Sequence, residues 1–329
     1  MGDKTAIGWT DATWNPVTGC SKVSPGCAHC YAESLTRRFA KAWGVPDLPW
    51  TPENAEENVI LHPERLDQPL RWKRPRMVFV NSMSDLFHEE VPDSFIGLIF
   101  QTMAMATQHT FQVLTKRPER MRDYLLRSGT GEPGVPLSNV WLGTSIENRR
   151  YVYRADLLRE TPAAVRFISA EPLLGPLVYD EGSHVGGYED ANPIFSPAGW
   201  SDRERFDGAP LDLTDIDWLI VGGESGPGHR PMRVEWVRDL RDACLALQDR
   251  HERCSAAACD YDETEWPHHP GGRPLLCPRC AEGELLSERI DGPAFFFKQW
   301  GGATPKAGGR VLDGRIWDEM PVSREAVAA

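Results

Sequence analysis

The chain reads as an α/β protein built as a complete or partial (β/α) barrel with an inserted four-cysteine segment, and three observations point there. Short runs of β-branched and aromatic residues recur along it, each followed by a polar turn and then an amphipathic stretch. The runs are apolar throughout, as strands covered on both faces are. About seven such strand–helix units imply parallel strands joined by crossovers, which suits a barrel better than an open sheet. No glycine-rich phosphate turn follows the first run, so a doubly wound dinucleotide fold is the weaker alternative. A chain of 329 residues that is 41% hydrophobic fits one such barrel, and 1–329 is read as a single domain.

The elements follow in order. A first strand is expected near 13–18, just before Cys20. Further strands are expected at 77–81 (MVFVN), 110–115 (TFQVLT), 140–144 (VWLGT), 165–169 (VRFIS), 218–222 (WLIVG) and 294–298 (AFFFK). Asp93 is placed to cap a helix whose Ile96, Ile99, Phe100 and Met103 form one apolar stripe. Pro118 suits the first turn of a helix running to about 127. A helix over 147–160 stops at Thr161-Pro162. Val237, Leu240, Cys244 and Leu247 share one face of a helix over 234–248, which makes Cys244 a core residue. Two segments break this rhythm. The stretch 179–210 is rich in Gly, Pro, Asp and aromatics and reads as an inserted loop or lid. The stretch 253–286 carries four grouped cysteines. In the tail, 301–329, Asp313-Gly314 reads as a tight hairpin turn that closes one end of the barrel.

A net charge of -12 and a pI of about 5.3 argue against a general polyanion binder while leaving room for local basic patches. The opening MGDKTAIGWT has neither an apolar run nor a cleavage signature. No stretch approaches the roughly 20 apolar residues of a membrane helix. The expectation is a cytoplasmic protein without a membrane partner. In that compartment eight cysteines point to metal or redox chemistry more than to disulfides.

The stretch GCSKVSPGCAHCYAE holds Cys20, Cys27 and Cys30, separated by six and two residues, and the next cysteine is Cys244. Three thiolates suffice for a [4Fe–4S] cluster whose fourth iron stays open to a ligand. They also suit a zinc site completed by His29 or a distant residue, and spacing alone leaves both open. Pro25 and Gly26 let the loop fold back so that Cys20 meets the other two. The strand ends add weight. In a (β/α) barrel, chemistry gathers at the C-terminal ends of the strands. Here those ends read NSMSD, TKRPER, GTSIEN, SAEP, GGESG and KQWGG, polar just where each apolar run stops.

The runs TWNPVTGC, GCAHCYAE, NSMSDLFH, LTKRPERM, LGTSIEN, SAEPLLG, VGGESG and FFKQWGG resemble an uncharacterised, largely phage-associated family of three-cysteine proteins that is radical-SAM-like. The resemblance spans nearly the whole chain apart from the 179–210 loop. It implies a barrel, a cluster on Cys20, Cys27 and Cys30, and S-adenosylmethionine beside it. The usual radical SAM spacing is three residues and then two, so the first gap here departs from it. In that superfamily a Gly-Gly-Glu turn after the second strand meets the methionine amino group; this chain has Asn81, Ser82, Ser84 and Asp85 at that place. The resemblance assigns Thr144 and Ser145 to the ribose or carboxylate and Glu171 to a ribose hydroxyl. It brings the Gly222 and Gly223 backbone, with Glu224 nearby, to the adenine. Lys116, Arg117 and Lys298 are candidates for an anionic substrate or the methionine carboxylate.

Cys254 and Cys259 are four residues apart and Cys277 and Cys280 two, a pairing that suits tetrahedral zinc in a zinc-ribbon-like insert. An auxiliary, fully ligated iron–sulfur cluster is the alternative. Basic residues interleave with Trp72 in RWKRPR (71–76) and neighbour Tyr124 in TKRPERMR (115–122), one footprint of nucleic acid. Two functions follow. One is a radical enzyme that modifies a nucleotide or single-stranded nucleic acid and draws on an electron donor. The other is a non-catalytic zinc or iron–sulfur adaptor.

Overall fold

Seven of the apolar runs become the strands of one sheet, and every neighbouring pair in it is parallel. The structure, a computed structural model, describes residues 5–128, 135–178, 210–248, 251–254, 285–288, 292–304 and 306–321. The strands are β1 (Ala12–Trp14), β2 (Met77–Val80), β3 (Thr110–Thr115), β4 (Val140–Ser145), β5 (Val165–Ala170), β6 (Trp218–Gly222) and β7 (Ala294–Gln299). They lie side by side in chain order, β1 to β7. Helices α1 (Tyr31–Trp43), α2 (Asp93–Met105), α3 (Pro118–Ser128), α4 (Tyr153–Arg159) and α5 (Val234–Leu247) fall between them. No described helix is long and apolar enough to cross a membrane.

The strands alternate between two apolar faces. Phe79, Trp141, Val165, Phe167, Trp218, Ile220, Ala294 and Phe296 meet around Trp9 on one face. Val78, Val80, Phe111, Val113, Leu142, Ile168, Leu219, Val221, Phe295 and Phe297 pack with the helices on the other. The first cluster shows that the sheet curls. Strands four places apart in a flat sheet stand about 19 Å apart. Yet the Trp9 ring lies 4.8 Å from Phe79 of β2 and 6.1 Å from Trp218 of β6. Trp9 therefore plugs the concave face of a half-barrel. Gly143 is part of that fit: a Cβ there would stand 2.5 Å from the Phe167 ring.

The barrel is partial. β1 and β7 are its two edges and do not pair with each other. The hairpin expected at Asp313-Gly314 forms, with Val311–Leu312 against Arg315–Ile316 and both turn residues at positive φ. Its continuation does not cap an end of the barrel. It runs along the β7 edge, where Phe297 N–H donates to the Trp317 carbonyl and Phe296 bridges Asp318. Backbone groups that an edge strand would leave open are thereby met.

Some expectations shift. Asp93 is the first helical residue of α2, not its cap, and its carboxylate accepts from Arg120 at 2.8 Å. The stretch 147–160 does not begin as a helix. Glu147 is held in the site described below, and Asn148 caps a short turn at Arg149–Tyr151 before α4 starts. The first strand ends at Trp14, and Val17–Thr18 pairs antiparallel with Ile60–Leu61 instead. The loop 179–210 lies outside the described residues except for Pro210. Around the four-cysteine insert, His251–Cys254 pairs antiparallel with Leu285–Glu288. Cys259, Cys277 and Cys280 lie outside the described residues.

Candidate functional site

Because all seven strands run the same way, their C-terminal ends share one rim, and the three-cysteine loop is laid across it. Gly19 opens the crossing at φ 84: its N–H donates to the Met83 carbonyl, and a Cβ would stand 1.8 Å from the Asn58 carbonyl oxygen. Beyond it the loop is tied to one strand end after another. Ser21 Oγ meets His88 Nε2 at 2.8 Å and accepts from Arg117 Nη2 at 3.0 Å. Ser24 Oγ donates to Glu147 Oε1 at 2.6 Å. The Pro25 carbonyl accepts from Arg230 Nη2 at 3.0 Å, and His29 Nδ1 meets Glu224 Oε2 at 3.0 Å. Tyr31, at the start of α1, donates its hydroxyl to the Ser82 carbonyl. The loop thus touches segments that follow β2, β3, β4 and β6. Gly26 lets it settle, since a Cβ there would stand 2.5 Å from Glu147 Oε1.

Two cations stand behind the cysteines. Arg117 is buried; its Nη1 approaches Cys20 Sγ at 3.7 Å and Asp85 Oδ2 at 3.3 Å, and its Nε donates to Glu89 at 3.0 Å. Asp85 accepts further from Thr115 Oγ1 at 2.7 Å and from the N–H groups of Phe87 and Lys116 at 3.0 Å each. Burial pushes the Asp85 carboxyl up, but Arg117 and these donors outweigh it and hold it below the usual carboxylate range. Lys116 Nζ donates to Ser145 Oγ at 3.0 Å and lies 3.7 Å from Glu147 Oε1. Burial works against its charge, yet Glu147 with Cys27 and Cys30 raises its pKa. Burial pushes the Cys20 thiol up to about 12, against the pull of Arg117, and raises Cys30 as well. Both thiols are therefore less acidic than a free cysteine, and a metal bound here would have to displace their protons.

His88 carries no charge at neutral pH. Burial, and Arg117 beside it, bring it down to about 4. Its Nδ1 accepts from the Glu90 N–H at 3.1 Å, so Nε2 bears the proton and donates to Ser21.

The residues singled out in the sequence at the other strand ends line the same rim. Asn81 is buried at φ 59, and its Oδ1 accepts from the Val17 N–H at 3.3 Å. Ser82 Oγ donates to Asn15 Oδ1 and Ser84 Oγ to the Val17 carbonyl. Thr144 Oγ1 donates to the Thr115 carbonyl, a bond between neighbouring strands. Glu171 pairs with Lys298 across the ends of β5 and β7, beside Gly222. A Cβ on Gly223 would stand 2.1 Å from the Trp300 carbonyl oxygen, so this glycine is needed for the chain crossing. Arg71, Lys73, Arg74 and Arg76 precede β2 and lie at the opposite rim, where Arg76 stacks over Trp72 at 5.0 Å.

Three partners escaped the sequence reading. Glu147 and Arg154 form a buried pair at 3.2 Å, and Arg154 Nη1 also donates to the Ser145 carbonyl. Arg230 grips Glu224 with Nε at 2.9 Å, its own N–H at 2.8 Å and Nη2. The one signal for Glu147 was a carboxylate two residues beyond the strand VWLGTS. Burial raises the pKa of Glu224, but Arg230 and His29 more than offset it and bring the group down to about 2, against 4.5 for an ordinary glutamate. A carboxyl depressed by folding adds stability above its unfolded pKa and loses it as pH falls through the folded value. Unfolding midpoints in urea should therefore drop between pH 5 and pH 2. Glu224→Gln should be less stable than wild type at pH 6 and should show a shallower drop; equal slopes would refute the linkage.

The donor set fits an iron–sulfur cluster. Three thiols from one loop share one rim, two cations offset the charge their thiolates would carry, and each thiolate of a cluster binds its own iron. Among the described residues no group of three or more His, Cys, Asp or Glu closes around a single metal ion. No curated protein and no solved structure matches the chain. The family described as protein of unknown function (DUF5131) matches residues 4–250, which take in the three-cysteine loop and β1 to β6, and the chain belongs to that family.

Proposed function

We propose that the protein is a radical S-adenosylmethionine enzyme that holds a [4Fe–4S] cluster on Cys20, Cys27 and Cys30 and acts on a nucleotide or a single-stranded nucleic acid. The observation that carries this reading is the three-cysteine loop tied across the strand-end rim beside Lys116 and Arg117. Such a cluster, with adenosylmethionine on its open iron, supplies a one-electron cleavage of the sulfonium. The chain's own residues bind and orient. Arg117 and Lys116 balance the charge of the thiolates. Ser145 sits at the same edge as Lys116, in reach of a carboxylate or ribose oxygen. The Glu171–Lys298 pair offers an acceptor and a donor to a ligand hydroxyl. Gly222 and Gly223 keep the floor beside that pair free of side chains. An electron donor is a required partner. A structural zinc on Cys254, Cys259, Cys277 and Cys280 belongs to the same proposal and rests on their spacing.

One observation favours the second reading, a non-catalytic adaptor. Asp85 is already paired with Arg117, Glu147 with Arg154 and Glu224 with Arg230, as charged groups would be around a purely structural metal. The deciding experiment is chromatography of the dithionite-reduced protein incubated with adenosylmethionine. The enzyme reading expects 5′-deoxyadenosine and methionine. No product from protein whose cluster is intact by spectroscopy would leave the adaptor.

A further inference from the structure

Helix α1 is amphipathic in the wrong sense. A helix on a half-barrel ordinarily turns its large apolar residues to the core. The buried residues of α1 are Ala32, Glu33, Thr36 and Ala40. Tyr31, Leu35, Phe39 and Trp43, each four residues after the last, are exposed by 57, 37, 37 and 50%. Residues four apart stand above one another, so these side chains form a single outward stripe about 18 Å long. Exposed apolar stripes of this kind mark interaction faces.

Its chemistry narrows the partner. Three of the four members are aromatic, and Phe39 and Trp43 stack with ring centres 5.4 Å apart. Arg37, Arg38 and Lys41 are interleaved with them, and the guanidinium of Arg38 lies 5.3 Å from the Phe39 ring centre. The one acid of the helix, Glu33, is turned inward onto Lys22 at 2.9 Å and the Trp50 N–H. Arg37 is paired with Asp47 at 3.1 Å, so the local cationic character of this face, in a chain of net charge -12, rests on Arg38 and Lys41. Aromatic platforms with alternating cations are how single strands are held without base-specific contacts: bases stack and phosphates meet the cations. An apolar protein partner has no use for the cations, and a stripe of four side chains, one residue wide, offers a bilayer little apolar area to bury. The stripe also leads somewhere, because Tyr31 follows Cys30 directly and is anchored at the end of β2.

We propose that the outward face of α1 is a track for single-stranded nucleic acid, with bases stacked on Phe39 and Trp43 and the strand led past Tyr31 toward the three-cysteine loop. The track rests on the nucleic-acid part of the function proposed above, and it was not among the basic clusters visible in the sequence.

The test is fluorescence anisotropy of labelled 20-mers of deoxythymidine and of uridine, titrated with the full chain at two salt concentrations. Wild type should bind at least one of them, more weakly at the higher salt. Phe39→Ala with Trp43→Ala should weaken binding at least tenfold, and Arg38→Gln with Lys41→Gln should flatten the salt dependence. All four positions are exposed, so circular dichroism and iron content should stay at wild-type values. Equal affinity in wild type and the aromatic double variant, or no binding by wild type, overturns the track. A change in sedimentation from dimer to monomer in that variant overturns it too, in favour of a self-association face. The track's failure and the enzyme's are separable: adenosylmethionine cleavage without substrate should be unaffected by these substitutions.

Discussion

Glu147→Ala is expected to cost about 3–5 kcal/mol of folding stability, the usual loss when one partner of a buried ion pair is removed. Glu147 is fully buried and serves three groups at once: Ser24 at 2.6 Å, Arg154 at 3.2 Å and Lys116 at 3.7 Å. Arg154 is itself buried, stacked over Tyr151 at 4.3 Å, and cannot move its guanidinium into water without leaving that packing. Alanine would leave Arg154 and Lys116 facing each other as uncompensated cations. It would also free Ser24, which lies 3.8 Å from Cys27 Sγ, so the loop should loosen along with the core. Urea unfolding measures the first effect and the alkylation rate of Cys27 the second. Adding Arg154→Met to Glu147→Ala should recover part of the loss, because one orphaned charge is then gone. A single-variant loss below about 1 kcal/mol would mean that the pair is not desolvated as the packing requires.

The sequence made the strands plain for a physical reason. Six expected strands recur within a residue or so of their bounds, because a strand buried on both faces must be apolar along its whole length. The polar strand ends were legible for the same reason, since polarity there interrupts an otherwise unbroken pattern. What the pattern could not carry was who meets whom. Lys116 and Arg117 read as free cations facing a site, yet Asp85, Glu89 and Glu147, each about 30 residues away in the chain, already answer their charge. Whether an anionic ligand displaces any of them is a matter of energetics that no local spacing encodes. The curl of the sheet was equally hidden, because it depends on Trp9, a residue outside every strand, filling the concave face. Helix α1 escaped because its large apolar residues point outward, the reverse of the rule by which helices are placed.

After anaerobic reconstitution with iron and sulfide, Cys27→Ala with Cys30→Ala should retain almost no iron, whereas wild type should hold about four per chain, the content of one [4Fe–4S] cluster. The two cysteines bracket His29 within a loop fixed by Ser24, Pro25 and His29 itself, so removing their sulfurs leaves the crossing of the rim intact. Loss of iron would then report lost ligands, not lost fold. The control is Cys244→Ala: Cys244 is buried on the inner face of α5, and this variant should keep its iron. His29→Gln separates cluster from zinc. If three thiolates hold the cluster, His29 is a positioning residue bound to Glu224, and iron content should persist. If zinc closes on the loop with His29 as fourth ligand, wild type should contain zinc instead of iron and the glutamine variant should lose it. The orientation of the ring serves either case, since Nδ1 on a carboxylate leaves Nε2 outward, as in metal-bound histidines. The metal content of these four proteins therefore decides what the loop is for, and equal iron in wild type and the double cysteine variant would remove the cluster from this site.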